Sequence, residues 1–151
     1  MREMLFHFGA QVALERPKRS LDQHALRLEQ GGKEIEAALK AATGSERNCK
    51  LLSHVIGIER WGQRRLQTAL SEPLVMDEYD GYRPPRDRDW TGLLADFRQT
   101  RQETLALVRK LEQAGLPADF RAPHNEFGPL SAGGWLRYLD MHARGEIRKL
   151  R

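Results

Sequence analysis

The chain has 151 residues, of which 40% are hydrophobic and 30% are charged. This composition is that of a globular protein and excludes a disordered one. A chain of this length can bury about two-thirds of its surface on folding, which allows an apolar core. The formal net charge of +4 is spread along the sequence. Nucleic-acid binding requires Lys and Arg concentrated on one face, so we do not expect nucleic acid as a partner.

Cysteine content and hydropathy indicate the compartment. Cys49 is the single cysteine, so a disulfide within the chain is excluded and a reducing environment is favoured. No stretch of 18 apolar residues exists, and we therefore expect no membrane-spanning helix and no membrane partner. Together these features predict a cytoplasmic protein.

The periodicity of apolar residues predicts an all-α fold. Leu, Ala, Arg, Glu and Gln dominate, whereas β-branched residues are scarce. Apolar residues recur at three-, four- and seven-residue intervals in four segments separated by Gly and Pro. The predicted helices cover approximately residues 20–42, 46–70, 89–114 and 131–151. Ser45 and Ser131 are predicted N-caps, and Gly44 is the predicted end of the first helix.

The connection between the second and third predicted helices is long. Residues 71–88 contain Pro73, Pro84, Pro85 and Gly81, which predict an irregular segment. Eighteen residues can run the length of a 24-residue helix, about 36 Å. The sequence therefore predicts a four-helix bundle with a crossover between helices two and three.

We expect one domain over residues 1–151, in which residues 1–19 are the least defined. The apolar residues of this N-terminal segment predict a short helical or extended piece that packs on the bundle; they are Met4, Leu5, Phe6 and Phe8.

The fourth predicted helix carries two candidate metal ligands. Trp135, Leu139, His142 and Glu146 are spaced four, three and four residues apart and so share one stripe. Trp and Leu indicate that the stripe faces inward. His142 and Glu146 should therefore point into the bundle one turn apart, where side chains at positions i and i+4 can reach one ion.

A third candidate ligand lies on the second predicted helix. His54 shares a stripe with Leu51, Ile58 and Trp61 and should also face inward. Two imidazoles and one carboxylate can thus converge between two helices, as in other bundle metal sites. This ligand set suits a divalent ion such as Zn, Ni, Fe or Mn.

Explanations without a metal remain open. An inward His can be a hydrogen-bonded core residue, and a buried carboxylate requires compensation. Arg101 interrupts the apolar seam of the third helix and could pair with Glu146. Glu59 is most simply solvated or a support for the site, and His124 is most simply a surface residue.

Four segments resemble the DinB/YfiT-like proteins of the DinB superfamily. They are LLSHVIGIERW at 51–61, FRQTR at 97–101, HNEFGPL at 124–130 and HARGEIRK at 142–149. The resemblance covers roughly residues 26–151. Each motif is short, and the specificity comes from their order and spacing.

The resemblance implies a four-helix bundle with a metal held by three His, one on helix two and two on helix four in H-x3-H spacing. His54 matches the first position and His142 the second, but Glu146 occupies the third. The resemblance further implies chemistry such as that of thiol-dependent S-transferases or a maleylpyruvate isomerase. Arg101 and Arg60 could then orient an anionic substrate.

Three functions follow from these patterns. The first is a divalent-metal-dependent enzyme that acts on a small molecule by thiol transfer, isomerisation or hydrolysis. The second is a non-catalytic bundle with a degenerate metal site that acts by self-association, for which a homodimer is expected. The third, which charge alone suggests, is a basic nucleic-acid binder. Whether the protein is an enzyme depends on Glu146.

Overall fold

The computed structural model describes residues 2–151, with side chains from Gly9 onward, so the predicted packing of Met4, Leu5, Phe6 and Phe8 lies outside the described side chains. Most of this range is helical, which confirms the all-α class. The described range contains five α-helices: α1 (Arg2–Glu15), α2 (Leu21–Ala41), α3 (Glu46–Leu66), α4 (Trp90–Ala114) and α5 (Ala132–Ile147). None of the helices in residues 2–151 combines the length and apolar character that crossing a membrane requires.

The start of α2 lies within one residue of its prediction because Ser20 caps it. The Ser20 hydroxyl accepts a hydrogen bond from the Gln23 backbone at 3.1 Å, and the Gln23 side chain accepts one from the Ser20 backbone at 2.9 Å. This reciprocal capping box satisfies two donors that the first helical turn leaves free. The other end differs from the prediction, since the helix ends at an extended Ala42 and not at Gly44. Gly44 instead lies close against Trp90.

The N-termini of α3 and α5 are capped as predicted, by the hydroxyls of Ser45 and Ser131. Both helices end earlier than predicted. The last turn predicted for α3 is a 3₁₀ helix, Gln67–Leu70, which ends at Ser71 in the left-handed region with a φ of 70°. The fifth helix ends at Ile147.

The connection between α3 and α4 is irregular except for a 3₁₀ helix at Tyr79–Tyr82. The side chain of Arg65 is 1% exposed and hydrogen-bonds this connection to the rest of the protein. Its guanidinium donates to the backbone carbonyls of Asp77 at 3.0 Å and Pro123 at 2.5 Å. The connection is thereby bonded to the loop that precedes α5.

The loop between α4 and α5 contains a structure that the sequence analysis does not predict. Strands β1 (Ala122–His124) and β2 (Gly128–Leu130) form a small antiparallel hairpin. The hairpin is attached to α5, because the indole of Trp135 donates to the carbonyl of Ala122 at 2.8 Å. Three-residue strands are too short to show an alternating pattern in sequence.

Helices α2 and α3 each pack against both α4 and α5, and α1 packs against α5. The apolar interior consists of two clusters. Along α4, Phe97 belongs to one cluster and Val108 to the other; along α5, Ala143 and Leu139 divide in the same way. The level between the two clusters is occupied by polar side chains, among them Glu59, Arg101 and Asp140.

Two adjacent glycines of α2 make room at this polar level. A Cβ atom on Gly31 would overlap the carboxylate of Asp140, and one on Gly32 would lie 3.1 Å from Cγ of Arg101. Gly31 and Gly32 weaken the helix by roughly 1 kcal/mol each relative to Ala. The close approach of these side chains explains why glycine stands there.

We predict that Gly31→Ala destabilises the protein by about 1–3 kcal/mol despite its better helix propensity, because the added methyl overpacks the polar level. Gly145→Ala is the matched control, since a Cβ at Gly145 in α5 meets open space. It should leave stability unchanged or raise it by up to about 1 kcal/mol. Urea denaturation followed by circular dichroism measures both changes. Equal effects of the two substitutions would contradict this explanation.

Candidate metal site

His54 of α3 and His142 of α5 face each other across the interior. Their Nε2 atoms lie 3.1 Å apart, and the ring centroids are separated by 5.0 Å. Both side chains are half-buried. Two residues that are 88 positions apart in sequence are therefore in direct contact, as their inward stripes predict.

Glu146 completes the cluster from one turn further along α5. One ligand atom from each of His54, His142 and Glu146 lies within 4.8 Å of the others. Within the described part of the chain, these three side chains form a group of His, Cys, Asp or Glu residues that could hold one ion. The structure thus brings together the three residues that the sequence predicts as ligands.

The separation of the two imidazole nitrogens fits two arrangements. Ligand nitrogens at 2.0–2.1 Å from a tetrahedral ion lie about 3.3 Å apart. The observed 3.1 Å is close to that distance, and it is also the length of a hydrogen bond in which one Nε2 donates to the other. Either arrangement requires at least one imidazole to be neutral.

Burial favours neutral imidazoles at this site. It lowers the pKa of His142 to about 4, and the neighbouring His54 contributes in the same direction. Burial likewise lowers the pKa of His54. Both rings are therefore neutral at pH 7, the state in which a ring nitrogen can bind a metal.

Glu146 supplies a negative charge. Its partial burial would raise the pKa of its carboxyl, but the hydrogen bond from Lys149 and the proximity of His142 and His54 hold the pKa below its usual value. Lys149 Nζ lies 2.8 Å from the Glu146 Oε1 atom, and its side chain is 58% exposed. An exposed ion pair of this kind contributes little and can be exchanged for another cation.

Aromatic rings border the cluster. Tyr79 meets the His54 ring edge-on at a centroid distance of 5.0 Å, and Tyr138 lies 5.8 Å from the ring of His142. The Nδ1 atom of His142 is buried and has no hydrogen-bond partner among residues 9–151. Metal-binding His residues commonly donate this second N–H to an acceptor, so the site departs from that arrangement.

Arg101 does not pair with Glu146, which corrects the alternative proposed for that carboxylate. Arg101 is 4% exposed and bonds to Glu59 at 2.8 Å and to Asp140 at 3.3 Å. Its guanidinium also donates to the Leu28 carbonyl at 2.8 Å. All three of its nitrogen atoms are thus engaged inside the protein, and its role in substrate binding stays a prediction.

Glu59 is not solvated, which excludes one of the two interpretations that the sequence left open for it and leaves the role of a support for the site. It is 1% exposed and accepts hydrogen bonds from Arg101 and from the Thr104 hydroxyl, the latter at 3.0 Å. A signal for this burial exists in the sequence, because Glu59 continues a stripe with Val55 and Gln63 at four-residue spacing. Helix α3 is buried on two stripes, and only the stripe through His54 was predicted to face inward.

His124 is also buried, contrary to its surface assignment. It is 5% exposed, and its ring contacts those of Trp61 and Trp135. Its Nδ1 atom accepts hydrogen bonds from the backbone amides of Glu126 and Phe127, at 3.0 and 3.2 Å. The ring therefore shapes the hairpin turn. Asp140, which the sequence analysis missed, is buried against Arg101.

Arg60, the second candidate for orienting a substrate, is half-buried on α3 and donates to the Tyr82 carbonyl at 3.4 Å.

No match to this chain was found among protein-family models, curated proteins or solved structures.

We predict that Arg101→Met destabilises the metal-free protein by roughly 3–5 kcal/mol, because it leaves the Glu59 carboxylate buried without its cation and removes one of the two cations that pair with Asp140. Arg98→Met, on the exposed side of α4, is the matched control and should change stability little, although it removes an ion pair with Glu36. Thermal unfolding in the presence of EDTA compares the two. A small effect of Arg101→Met would mean that the guanidinium is held for a substrate and not for the fold.

Proposed function

We propose that this chain is a divalent-metal-dependent enzyme of the DinB superfamily that acts on a small molecule. In this proposal α2 to α5 form the four-helix bundle of that superfamily, and residues 71–88 are its crossover. The packing of α2 and α3 against both α4 and α5 supports the bundle. The observation that carries the function is the convergence of His54, His142 and Glu146.

The chemistry of the three donors fits a transition-metal ion. Two neutral imidazoles and one carboxylate satisfy three positions and leave others open for a substrate. Zn, Ni, Fe and Mn all accept this set, and the carboxylate in place of a third imidazole favours the harder ions among them. A divalent ion bound there would supply Lewis acidity toward a carbonyl group, a water or a thiol.

The residues around the donors would position the substrate. The rings of Tyr79 and Tyr138 lie against those of His54 and His142. Burial raises the pKa of the Tyr138 hydroxyl, which therefore stays protonated and can donate a hydrogen bond. Arg60 is the cation proposed to orient an anionic group, whereas the nitrogen atoms of Arg101 all bond to groups within the protein. The reaction would be thiol transfer, isomerisation or hydrolysis, in the cytoplasm that the single Cys49 favours.

Titration with Co²⁺ tests the proposal, because its absorption spectrum reports both binding and ligand geometry. We expect one equivalent to bind and Zn²⁺ to displace it. His142→Gln should weaken binding by about 100-fold or more, since even partners of metal ligands contribute 10–100-fold. Glu146→Gln should weaken it by about tenfold, whereas Glu112→Gln on the exposed face of α4 is the control and should leave it unchanged.

Two results would overturn the metal proposal. One is the absence of a Co²⁺ band at one equivalent in the wild type. The other is a spectrum that is the same in the wild type and in His142→Gln, which would place any bound ion elsewhere.

Glu146 is the ligand that differs from the three-His pattern, and replacing it gives an independent prediction. Glu146→His restores the three-imidazole set that the resemblance implies and removes the Lys149 ion pair. We expect Zn²⁺ affinity to rise by about tenfold while Mn²⁺ affinity falls, because imidazole prefers the softer ion. Isothermal titration calorimetry with the two metals measures the reversal. Unchanged affinities would show that residue 146 is not a ligand.

A second candidate is a non-catalytic bundle that acts as a homodimer. The observation that favours it is a run of exposed apolar side chains at Leu74, Val75 and Met76, which are 50%, 47% and 57% exposed. Sedimentation velocity of the wild type and of Met76→Lys tests it. A dimer that Met76→Lys dissociates, together with no metal uptake, would establish this candidate over the enzyme.

A further inference from the structure

A second concave site lies at the far end of α5 from the His pair. It is a cavity of about 370 Å³ between the start of α2, the start of α5 and the segment that joins α1 to α2. Its size falls in the range of small-molecule sites. Gly133, which lines it, precedes His142 by nine residues, or about 14 Å along the helix. The cavity is therefore separate from the candidate metal site.

The cavity is strongly positive. Its charged lining residues comprise four cations and a single carboxylate: Lys18, Arg19, Arg121, Arg137 and Glu15. The positive ends of the α2 and α5 dipoles also point toward it. Glu15 is already bound to the start of α5, where it accepts from the Ser131 amide at 2.8 Å and from the Ser131 hydroxyl at 2.5 Å.

His24 is a buried side chain in the wall of this cavity. It is 4% exposed, and among residues 9–151 no hydrogen bond joins its ring to another group. The ring lies against Gly133, where a Cβ atom would come within 2.8 Å of Nε2. Burial and the charges of Arg137 and Arg19 lower the pKa of His24 to about 4, so the ring is neutral and keeps one N–H donor.

Arg137 is a buried cation in the wall of the same cavity. It is 7% exposed and donates to backbone carbonyls at the end of α1, among them those of Leu14 and Arg16. Its Nε atom has no hydrogen-bond partner in the described part of the chain. The Glu15 carboxylate lies near enough to act on Arg137, but its hydrogen bonds go to Ser131, so the buried guanidinium still favours binding of an anion nearby.

We propose that this cavity binds a small molecule that bears an oxyanion, either a carboxylate or a phosphate. The His24 N–H and the guanidinium of Arg19 bind the oxygen atoms, and Arg137 and the N-terminus of α2 supply the positive field. Leu14, Leu21 and Phe120 line the apolar part and accommodate the remainder of the molecule. The ligand therefore joins one anionic group to a short apolar portion.

Calorimetric titration of the full-length chain with inorganic phosphate and with butyrate tests this site. Both titrations are made against chloride at equal ionic strength, with EDTA present so that no divalent ion takes part. We expect saturable binding of at least one probe at one equivalent. Butyrate binding would identify a carboxylate ligand, and phosphate binding a phosphate ligand.

Arg19→Gln should weaken that binding by about tenfold, which is typical for the loss of a charge-assisted hydrogen bond. Arg109→Gln is the matched control, because Arg109 is an exposed arginine of α4 that does not line the cavity. His24→Phe keeps the ring volume and should also weaken binding, with its thermal unfolding measured to confirm that it folds.

Three outcomes would overturn the proposal. The first is the absence of saturable binding for both probes. The second is an equal loss in Arg19→Gln and Arg109→Gln, which would indicate a general charge effect. The third is binding that both Arg19→Gln and a folded His24→Phe leave intact.

Discussion

The buried ion pair between Arg101 and Glu59 is the interaction on which the rest of the structure depends. From α4, Arg101 reaches the Leu28 carbonyl of α2, the carboxylate of Glu59 on α3 and that of Asp140 on α5. One side chain therefore bonds to all three helices that surround it. Taking these charges out of water is costly, and they are stabilised only if every partner is present. Such a network tolerates one longitudinal register of the four helices, because a shift of one residue would leave a charge unpaired.

This register is what brings the candidate metal ligands together. Asp140 lies two residues before His142 on α5, and Glu59 lies five residues after His54 on α3. Because the ion pair fixes the positions of Asp140 and Glu59, the positions of His142 and His54 along their helix axes are fixed as well. The apolar clusters above and below the ion pair determine which faces turn inward, but an apolar core can lose its unique arrangement before it loses stability. The charged level supplies the specificity that they lack.

The sequence was informative where a feature is local or strictly periodic. The starts of α3 and α5 follow from Ser45 and Ser131, whose hydroxyls cap the next turn, and the inward stripes correctly bring together His54, His142 and Glu146. It was uninformative where partners are distant. Nothing in a single sequence indicates that Arg101 pairs with Glu59 and not with Glu146, since the choice depends on the relative height of two helices. The role of Gly31 and Gly32 could not be predicted for the same reason. In sequence they only weaken the helix, and the side chains that require them lie on α4 and α5.

The proposed function requires a divalent ion between α3 and α5, and the position of such an ion can be observed directly. Anomalous diffraction at the zinc edge, from crystals grown with Zn²⁺, locates such an ion without reference to activity. The account predicts one strong peak at about 2.0–2.2 Å from an imidazole nitrogen of His54, an imidazole nitrogen of His142 and a carboxylate oxygen of Glu146. A map without that peak, in which the two rings keep their 3.1 Å contact and Lys149 stays on Glu146, would contradict it.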